Sequence, residues 1–418
     1  MLQKGKAFVF FLSAVVVLYG LTAAFYGRVV AKDEAYRELA VFMDALKKIN
    51  EDYVEVPDIE KVHDGAMRGL IGALDPYSGF FTKAQFEAIQ KRLAAGAAGP
   101  GVILSERADV LFVVALNKGG PAEAAGLRQG DYVVAVDGIG VEEKSLLEVE
   151  SMLRGIPGST VKLSVFRSAR TKPVEIEIAR TPESPATPSS QLMSDGIGLL
   201  QVSSLAGSAA EQARVMLKTL VSAGAQKLIL DLRDCADGNA KSGAELANLF
   251  LRDGLIYYCR NRNGERTEEA RADAERFVTD LPMVVLINES SASAAEIVAG
   301  ALKDHKRAVV VGEKSFGKGS IQEQITLRSG AVLILSTAKI YTPGGKAIQD
   351  ETIRNTGIKP DVEAPDDDRQ QDLVVETIYD TQEDQVKYRL LQERIRKEQM
   401  DRAVEVLTKG AVPAKRAA

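Results

Sequence analysis

From Gly196 onward the sequence alternates apolar strands with amphipathic helices, and this alternation limits the fold more than any other feature. "GIGLLQV" leads to a helical pattern at Ala209–Ala223, and "KLILDLRD" leads to one at Ala240–Leu251. "PMVVLIN" leads to "NESSASAAEIVAGALK", and "RAVVVGEKS" and "VLILSTAKIYT" follow. Strands that are apolar almost without interruption are buried on both faces, so this half predicts an α/β core with helices covering a sheet.

The segments before it keep other periods. From Asp33 to about Leu93 apolar residues recur every three or four positions, which predicts helices, interrupted by the breaker-rich "ALDPYSGFF". After "AAGAAGPG" the period shortens: "VLFVVALN", "DYVVAVDG", "VKLSVFR" and "VEIEIAR" are β-type runs around a helical "SLLEVESMLRG". They make a domain of about 80 residues that ends near Arg180. "TPESPATPSSQ" reads as a linker, and the charged tail from Leu373 to Lys409 as an amphipathic helix packing on its own or a sister subunit.

The first residues bear on location. Lys4 and Lys6 precede an uncharged run from Ala7 to Gly27, long enough as a helix to span about 30 Å of hydrocarbon. The run predicts an uncleaved signal anchor over residues 1–31, with everything after it outside the cytoplasm. A cleaved signal peptide ending near "VVA", Val29–Ala31, is the alternative. A net charge of -5 gives no electrostatic footprint for nucleic acid. The two cysteines, Cys235 and Cys259, make neither a disulfide framework nor a zinc quartet, and no metal or cofactor is expected.

Chemistry concentrates around "NESSASAAEI". Ser293 stands three residues before Glu296 with an apolar run behind it, which is the capping-box pattern. A serine opening a helix after a buried strand also sits where backbone N–H groups face outward and suit an oxyanion. That order has the logic of a nucleophile elbow, without G-x-S-x-G. The chain has only two histidines, His63 and His305, and neither has a convincing acidic partner in the sequence. A lysine whose charged form is disfavoured by burial can serve as base instead. Lys314 and Lys318 in "VVVGEKSFGKGSIQ" are the candidates, the second flanked by Gly317 and Gly319. The same stretch is a near P-loop, Gly312-x-x-x-x-Gly317-Lys318. Gly319 replaces the magnesium-binding hydroxyl, however, and a β-type run replaces the helix that would hold phosphate.

"SASAAEIVAGAL", "VVVGEKSFGKGSIQ" and "TAKIYTPGGKAIQ…GIKPDV" together resemble the C-terminal processing peptidases, the Ser/Lys-dyad S41 family of tail-specific proteases. "ALDPYSGFF" and the PDZ-like segment from about Gly99 to Arg180 resemble that family's N-terminal half. The resemblance implies a mixed α/β (α+β) chain. Its parts would be an anchor (1–31), a helical region (32–97), a PDZ domain (98–181), a crotonase-like serine peptidase core (182–365) and a helical tail (366–418). It implies Ser293 as nucleophile, Lys318 as general base 25 residues on and Gln322 orienting the lysine. Gly238 and Ala294 would supply the oxyanion hole, and the loop "GPGV" with Gly101, Val102 and Ile103 would bind a peptide's terminal carboxylate.

One departure stands out. Where the family has "DLR-x-N-P-G-G" this chain has "DLRDCADG", so Cys235, Ala236 and Asp237 replace Asn, Pro and the first Gly, and Glu289 and Ser290 precede the nucleophile where glycines are usual. A carboxylate at Asp237 would oppose the oxyanion if it pointed there. The expectation is therefore a single-pass inner-membrane serine endopeptidase with its catalytic part facing the periplasm or cell exterior. It would act on proteins with apolar C-termini, with an adaptor and homo-oligomer formation as further partners and no nucleic acid. A catalytically impaired PDZ scaffold on the same fold is the alternative.

Overall fold

The computed structural model describes residues 33–409 except 96–97, 108–109, 143, 168–171, 183–185, 351–355 and 366–381. The anchor expected over residues 1–31 lies outside the described residues, as do the start and the last residues of the expected tail. Among the described residues no helix is long and apolar enough to cross a membrane. The chain divides into two units between Gly69 and Leu70. The first contains α1 (Asp33–Asp52) and most of α2 (Ile59–Gly72), both amphipathic as their spacing predicts. Lys47 and Lys48 of α1 pair with Glu51 and Asp52 one turn on.

The second unit opens with a turn at Asp75–Ser78, followed by β1 (Gly79–Phe81) and α3 (Lys83–Ala95). A small β domain comes next: β2 (Ala98–Gly99), β3 (Val102–Arg107), β4 (Val110–Leu116), α4 (Pro121–Ala124), β5 (Tyr132–Val136), β6 (Ile139–Gly140), α5 (Leu146–Leu153), β7 (Thr160–Phe166), β8 (Val174–Ala179) and β9 (Thr181–Pro182). Its sheet runs β3-β4-β5-β7-β8 with β6 on β5, and β2 pairs with β9 where the chain enters and leaves. Alternate residues such as Val113, Val133, Val161, Leu163 and Ile178 are fully or almost fully buried between the strands and α5. Ser145 and Glu148 start α5 with a reciprocal capping box. β3 ends the sheet, so among the described residues no strand pairs with its outer edge, and α5 lies beside it.

The larger part contains β10 (Ser189–Leu192), β11 (Ile197–Gln201), α6 (Ala209–Ser222), β12 (Lys227–Asp231), α7 (Ala240–Asn248), β13 (Leu255–Asn261), β14 (Arg266–Arg271), β15 (Met283–Ile287), α8 (Ala294–Asp304), β16 (Val309–Gly312), β17 (Ser320–Thr326), β18 (Val332–Tyr341), β19 (Val362–Glu363) and α9 (Gln382–Lys409). The sheet β10-β11-β12-β15-β16-β19 is parallel except for β10. Its apolar runs are explained by burial on both sides. Leu228, Leu230, Met283, Val285, Ile287 and Val310 pack under α6, α7 and α8. The alternate residues Ile229, Val284, Leu286 and Val311 pack with Ala403, Val406 and Leu407 of α9. The tail helix thus packs on its own subunit, as one of the two expectations had it, against β12, β15 and β16 on one face of the core sheet. The helix expected to reach Leu251 stops at Asn248, whose amide donates to the Leu251 and Asp273 carbonyls and turns the chain.

β12, β15 and β16 all end at one edge of the sheet, and the turns that follow them gather there, where open α/β sheets hold their ligands. A second sheet, β1-β18-β13-β14 with β17 on β18, packs through β13 and β14 against α7 and through β13 against α8. α7 approaches α8 closely enough that a Cβ on Gly243 would lie 2.7 Å from the Ala294 carbonyl oxygen. Gly243→Ala is therefore expected to lower unfolding free energy by about 1–3 kcal/mol in urea titration, the ordinary cost of overpacking. The displacement falls on the residue after Ser293, so peptidase turnover should fall with it.

Candidate active site

Three serines follow β15, and each hydroxyl donates to a different carbonyl. Ser290 donates to Val114 of β4 (2.5 Å), Ser291 to Leu232 (2.9 Å) and Ser293 to Gly238 (3.2 Å). Ser290 and Ser291 are fully buried and structural. Ser293 differs in its backbone: φ is +55° and ψ −113°, a conformation strained for a residue with a Cβ. Ser293 stands at the start of α8 with its hydroxyl on the Gly238 carbonyl. Ala294 opens the helix, so its N–H has no intrahelical acceptor.

Glu296 binds this turn to the lysine loop. Its carboxylate is wholly buried and accepts four hydrogen bonds. Oε1 takes the Ser315 hydroxyl (2.5 Å) and the Gly317 N–H (2.7 Å). Oε2 takes the N–H of Ser293 (3.0 Å) and of Lys318 (2.8 Å). Burial pushes its pKa up to about 7, while these four donors pull the other way. The capping-box reading of Ser293 and Glu296 thus captured one of four bonds. The glycines around Lys318 are required as the sequence suggests: a Cβ on Gly319 would lie 2.6 Å from Ile348 Cβ, and Gly317 has φ +97°.

The turn of residues 232–239 is tied to the serine turn. Ala292 N–H donates to the Cys235 carbonyl (2.9 Å), and Asn288 exchanges two hydrogen bonds with Asp234 (2.9 and 2.7 Å). Asp234 also forms an ion pair with Arg396 of α9. Arg233 is bidentate to buried Asp231 and reaches the Arg396 carbonyl and the Gln399 amide oxygen (both 3.0 Å). Gly238 has φ +85°, and a Cβ there would lie 2.7 Å from Leu205 Cβ. The Asp237 carboxylate accepts from the Leu205 N–H (2.7 Å) and the Ser204 hydroxyl (2.6 Å), so it is committed to the loop after β11. Burial, then the charge of Asp237, pushes the Cys235 thiol far up and keeps it protonated.

The expected lysine contacts are arranged differently. The Lys318 amine lies 5.2 Å from the centre of the Tyr77 ring, and the Ser293 hydroxyl is on Gly238. The Gln322 amide donates to the hydroxyls of Ser320 (2.8 Å) and Ser336 (3.1 Å) and not to Lys318. His305 is half-buried and its ring bonds the Leu255 carbonyl (2.6 Å), while His63 is exposed beside Asp64 (3.3 Å). The P-loop reading fails on geometry, because Lys318 is followed by strand β17. In the β domain Gly101 has φ +72° and opens β3. Val102 packs into that domain's core, whereas Ile103 joins Phe112, Val114 and Ala115 against Ala236, Ala292 and Phe316 of the three active-site loops. Sequence reasoning assigned no role to Asp75, Tyr77 or Ser336; "DPYS", read as a breaker-rich turn and as part of the family resemblance, was the local signal for the first two.

Replacing Glu296 by Gln puts an amide donor among four donors. It is expected to lower kcat about ten- to a hundredfold with little change in KM, measured on a fluorogenic peptide. A carboxyl raised from about 4.5 in the unfolded chain to about 7 in the fold binds more protons when folded between those values. Its contribution to stability therefore falls as pH rises through that window and is constant above it. Denaturant titration should show that slope in the wild type and a flatter one in Glu296→Gln.

Residues 196–364 match peptidase family S41, and residues 100–178 match a PDZ domain. The chain is 34% identical to the carboxy-terminal processing protease CtpA of Bacillus subtilis over 322 residues, covering 77% of this chain and 67% of that protein. It is 31% identical to the carboxy-terminal-processing protease of Bartonella bacilliformis over 335 residues, covering 79% and 76%. Among solved structures, a photosystem II D1 C-terminal processing protease superposes with a TM-score of 0.63 at 26% identity, covering 78% of this chain and 92% of that one. A strained serine, a lysine loop joined to it by one carboxylate and this extent of similarity lead to one conclusion: the chain belongs to the S41 carboxy-terminal processing proteases and is a serine peptidase with a PDZ domain.

Proposed function

We propose that the protein is an endopeptidase that takes the C-terminal tail of another protein into its PDZ domain and cleaves the chain with Ser293 and Lys318, outside the cytoplasm. The observation that carries this reading is the Glu296 carboxylate, which fixes the backbones of both residues from one point. In the reaction the Lys318 amine leaves the Tyr77 ring and takes the Ser293 proton as Oγ attacks the scissile carbonyl. It then returns that proton to the departing peptide nitrogen. The N–H groups of Gly238 and Ala294 stabilise the oxyanion, and Gln322 steadies the amine once it has moved. The tail adds beside the open edge of β3, its carboxylate held at Gly101–Ile103. The Asp237 carboxylate supports a working enzyme over an impaired scaffold, since it is committed to the Ser204 hydroxyl and the Leu205 N–H.

Ser293→Ala and Lys318→Ala are each expected to abolish cleavage of a protein with an apolar free-acid tail, to the same residual level, because the two act as a unit. His305→Ala should keep full activity. Amidating the tail should raise KM about tenfold by removing its charge-assisted bonds. Turnover that survives in Lys318→Ala ends the dyad reading, and equal KM for acid and amide removes the carboxylate site.

The uncharged run from Ala7 to Gly27 supports a single-pass anchor in the inner membrane, with the peptidase on the periplasmic or exterior side. An adaptor and self-association belong to the same proposal. Alkaline carbonate washing should leave the full chain in the membrane fraction, and protease added to spheroplasts should digest the catalytic part. Release by carbonate, or protection from protease, overturns that placement.

A further inference from the structure

The turn at Asp75–Ser78 touches the expected base and the expected orienting residue's partner at once. Asp75 Oδ1 accepts from the N–H groups of Tyr77 (2.8 Å) and Ser78 (2.9 Å), and its Oδ2 from the Ser78 hydroxyl (2.9 Å). The turn is then fastened to β18: Ser336 donates its hydroxyl to Asp75 (3.2 Å) and its N–H to the Ser78 hydroxyl (3.1 Å). Gln322 donates to that same Ser336 hydroxyl. On the other side the Tyr77 hydroxyl bonds Ser105 of β3 (3.2 Å), and the ring packs against the PDZ core. Tyr77 is therefore held from two domains, and its ring face is a fixed surface toward a long, rotatable lysine.

The Lys318 amine lies 5.2 Å from the ring centre, within the range where a ring quadrupole attracts an ammonium. That attraction acts on the charged amine alone. A general base must be neutral and must reach Ser293, whose hydroxyl here donates to Gly238. The contact therefore favours the location in which Lys318 cannot act. We propose that Tyr77 is a positioning residue for the base: its ring holds the Lys318 amine away from Ser293 and so limits the fraction of enzyme ready to react. This rests on the Ser293–Lys318 reading above. A cation–π contact of ordinary strength shifts such an equilibrium by about two- to thirtyfold.

The test uses the full chain and a short internally quenched peptide with an amidated end, which leaves the carboxylate loop out of the measurement. Position 77 is replaced by the near-isosteric series phenylalanine, trifluorophenylalanine and pentafluorophenylalanine, which keeps the ring and drains its negative face stepwise. Tyr77→Phe is expected to match wild type within about twofold, since the ring stays. kcat should then rise along the series by a total of about two- to thirtyfold, with KM unchanged and the melting temperature constant. The rate of Ser293 labelling by a fluorophosphonate should rise in parallel. A kcat that is flat or falls along the series overturns the proposal, as does a full rise already present in Tyr77→Phe. A wild type without turnover that gains it along the series supports the proposal, and silence throughout sinks it. Lys318→Ala separates the two claims. If Lys318→Ala is dead and the series flat, the dyad stands and the role of Tyr77 falls; if Lys318→Ala is active, the dyad itself fails.

Discussion

A single carboxylate, buried without any exposed surface, organises this active site. Glu296 draws its four donors from two segments: the N–H of Ser293 in the serine turn, and the Ser315 hydroxyl with the N–H groups of Gly317 and Lys318 in the lysine loop. Such a group is costly to desolvate and is tolerated only when its acceptor capacity is filled. Here the donors come from the serine turn and from the lysine loop, so one buried group holds the two together. The cost of burying the charge thus enforces the geometry, because a loop that drifts leaves a polar group unpaired in the interior. Ser315 extends the constraint by accepting the Ile358 N–H (2.6 Å), so the segment after β18 is drawn into the same network.

The PDZ domain is built into the walls of the site. Val114 and Ala115 of β4 lie in one apolar cluster with Ala236, Ala292 and Phe316, one residue from each of the three loops. The Phe112 and Phe316 rings are 5.9 Å apart, and Ser290 fixes the register through the Val114 carbonyl. These residues also explain two departures from the family pattern. Ser290, where a glycine is usual, has a buried acceptor to satisfy, and Ala236 fills apolar space against the PDZ strand.

Much of the fold was legible because burial writes itself into local patterns. The two-sided burial of β12 and β15 makes their apolar runs nearly continuous, and the three-residue step from Ser293 to Glu296 marks a helix start. The Ser293 and Lys318 turns were legible for the same reason, as each follows such a strand and carries its own local signature of Ser-x-x-Glu or Gly-Lys-Gly. What could not be read depends on partners far along the chain. The direction of Asp237 is decided by Ser204 and Leu205, on a different strand end. The place of the Lys318 amine is decided by Tyr77, and that of the Gln322 amide by Ser336, across domains and strands. The role of α9 was hidden by its charge: Met400, Ala403, Val406 and Leu407 make only a narrow apolar stripe within an otherwise polar helix.

That helix has a consequence for the order in which the molecule is completed. Arg233 reaches a carbonyl 163 residues later in the chain, and Asp234 finds its guanidinium at Arg396 on the same helix. During synthesis from the N-terminus, the PDZ domain, the serine turn and the lysine loop all emerge before those partners exist. Until α9 docks, Asp234 lacks its counter-ion, Arg233 lacks two acceptors and one face of the core sheet is bare. The turn of residues 232–239 thus receives its full set of contacts only once α9 has been made, and Glu313, just before the lysine loop, receives the Gln399 amide at the same step.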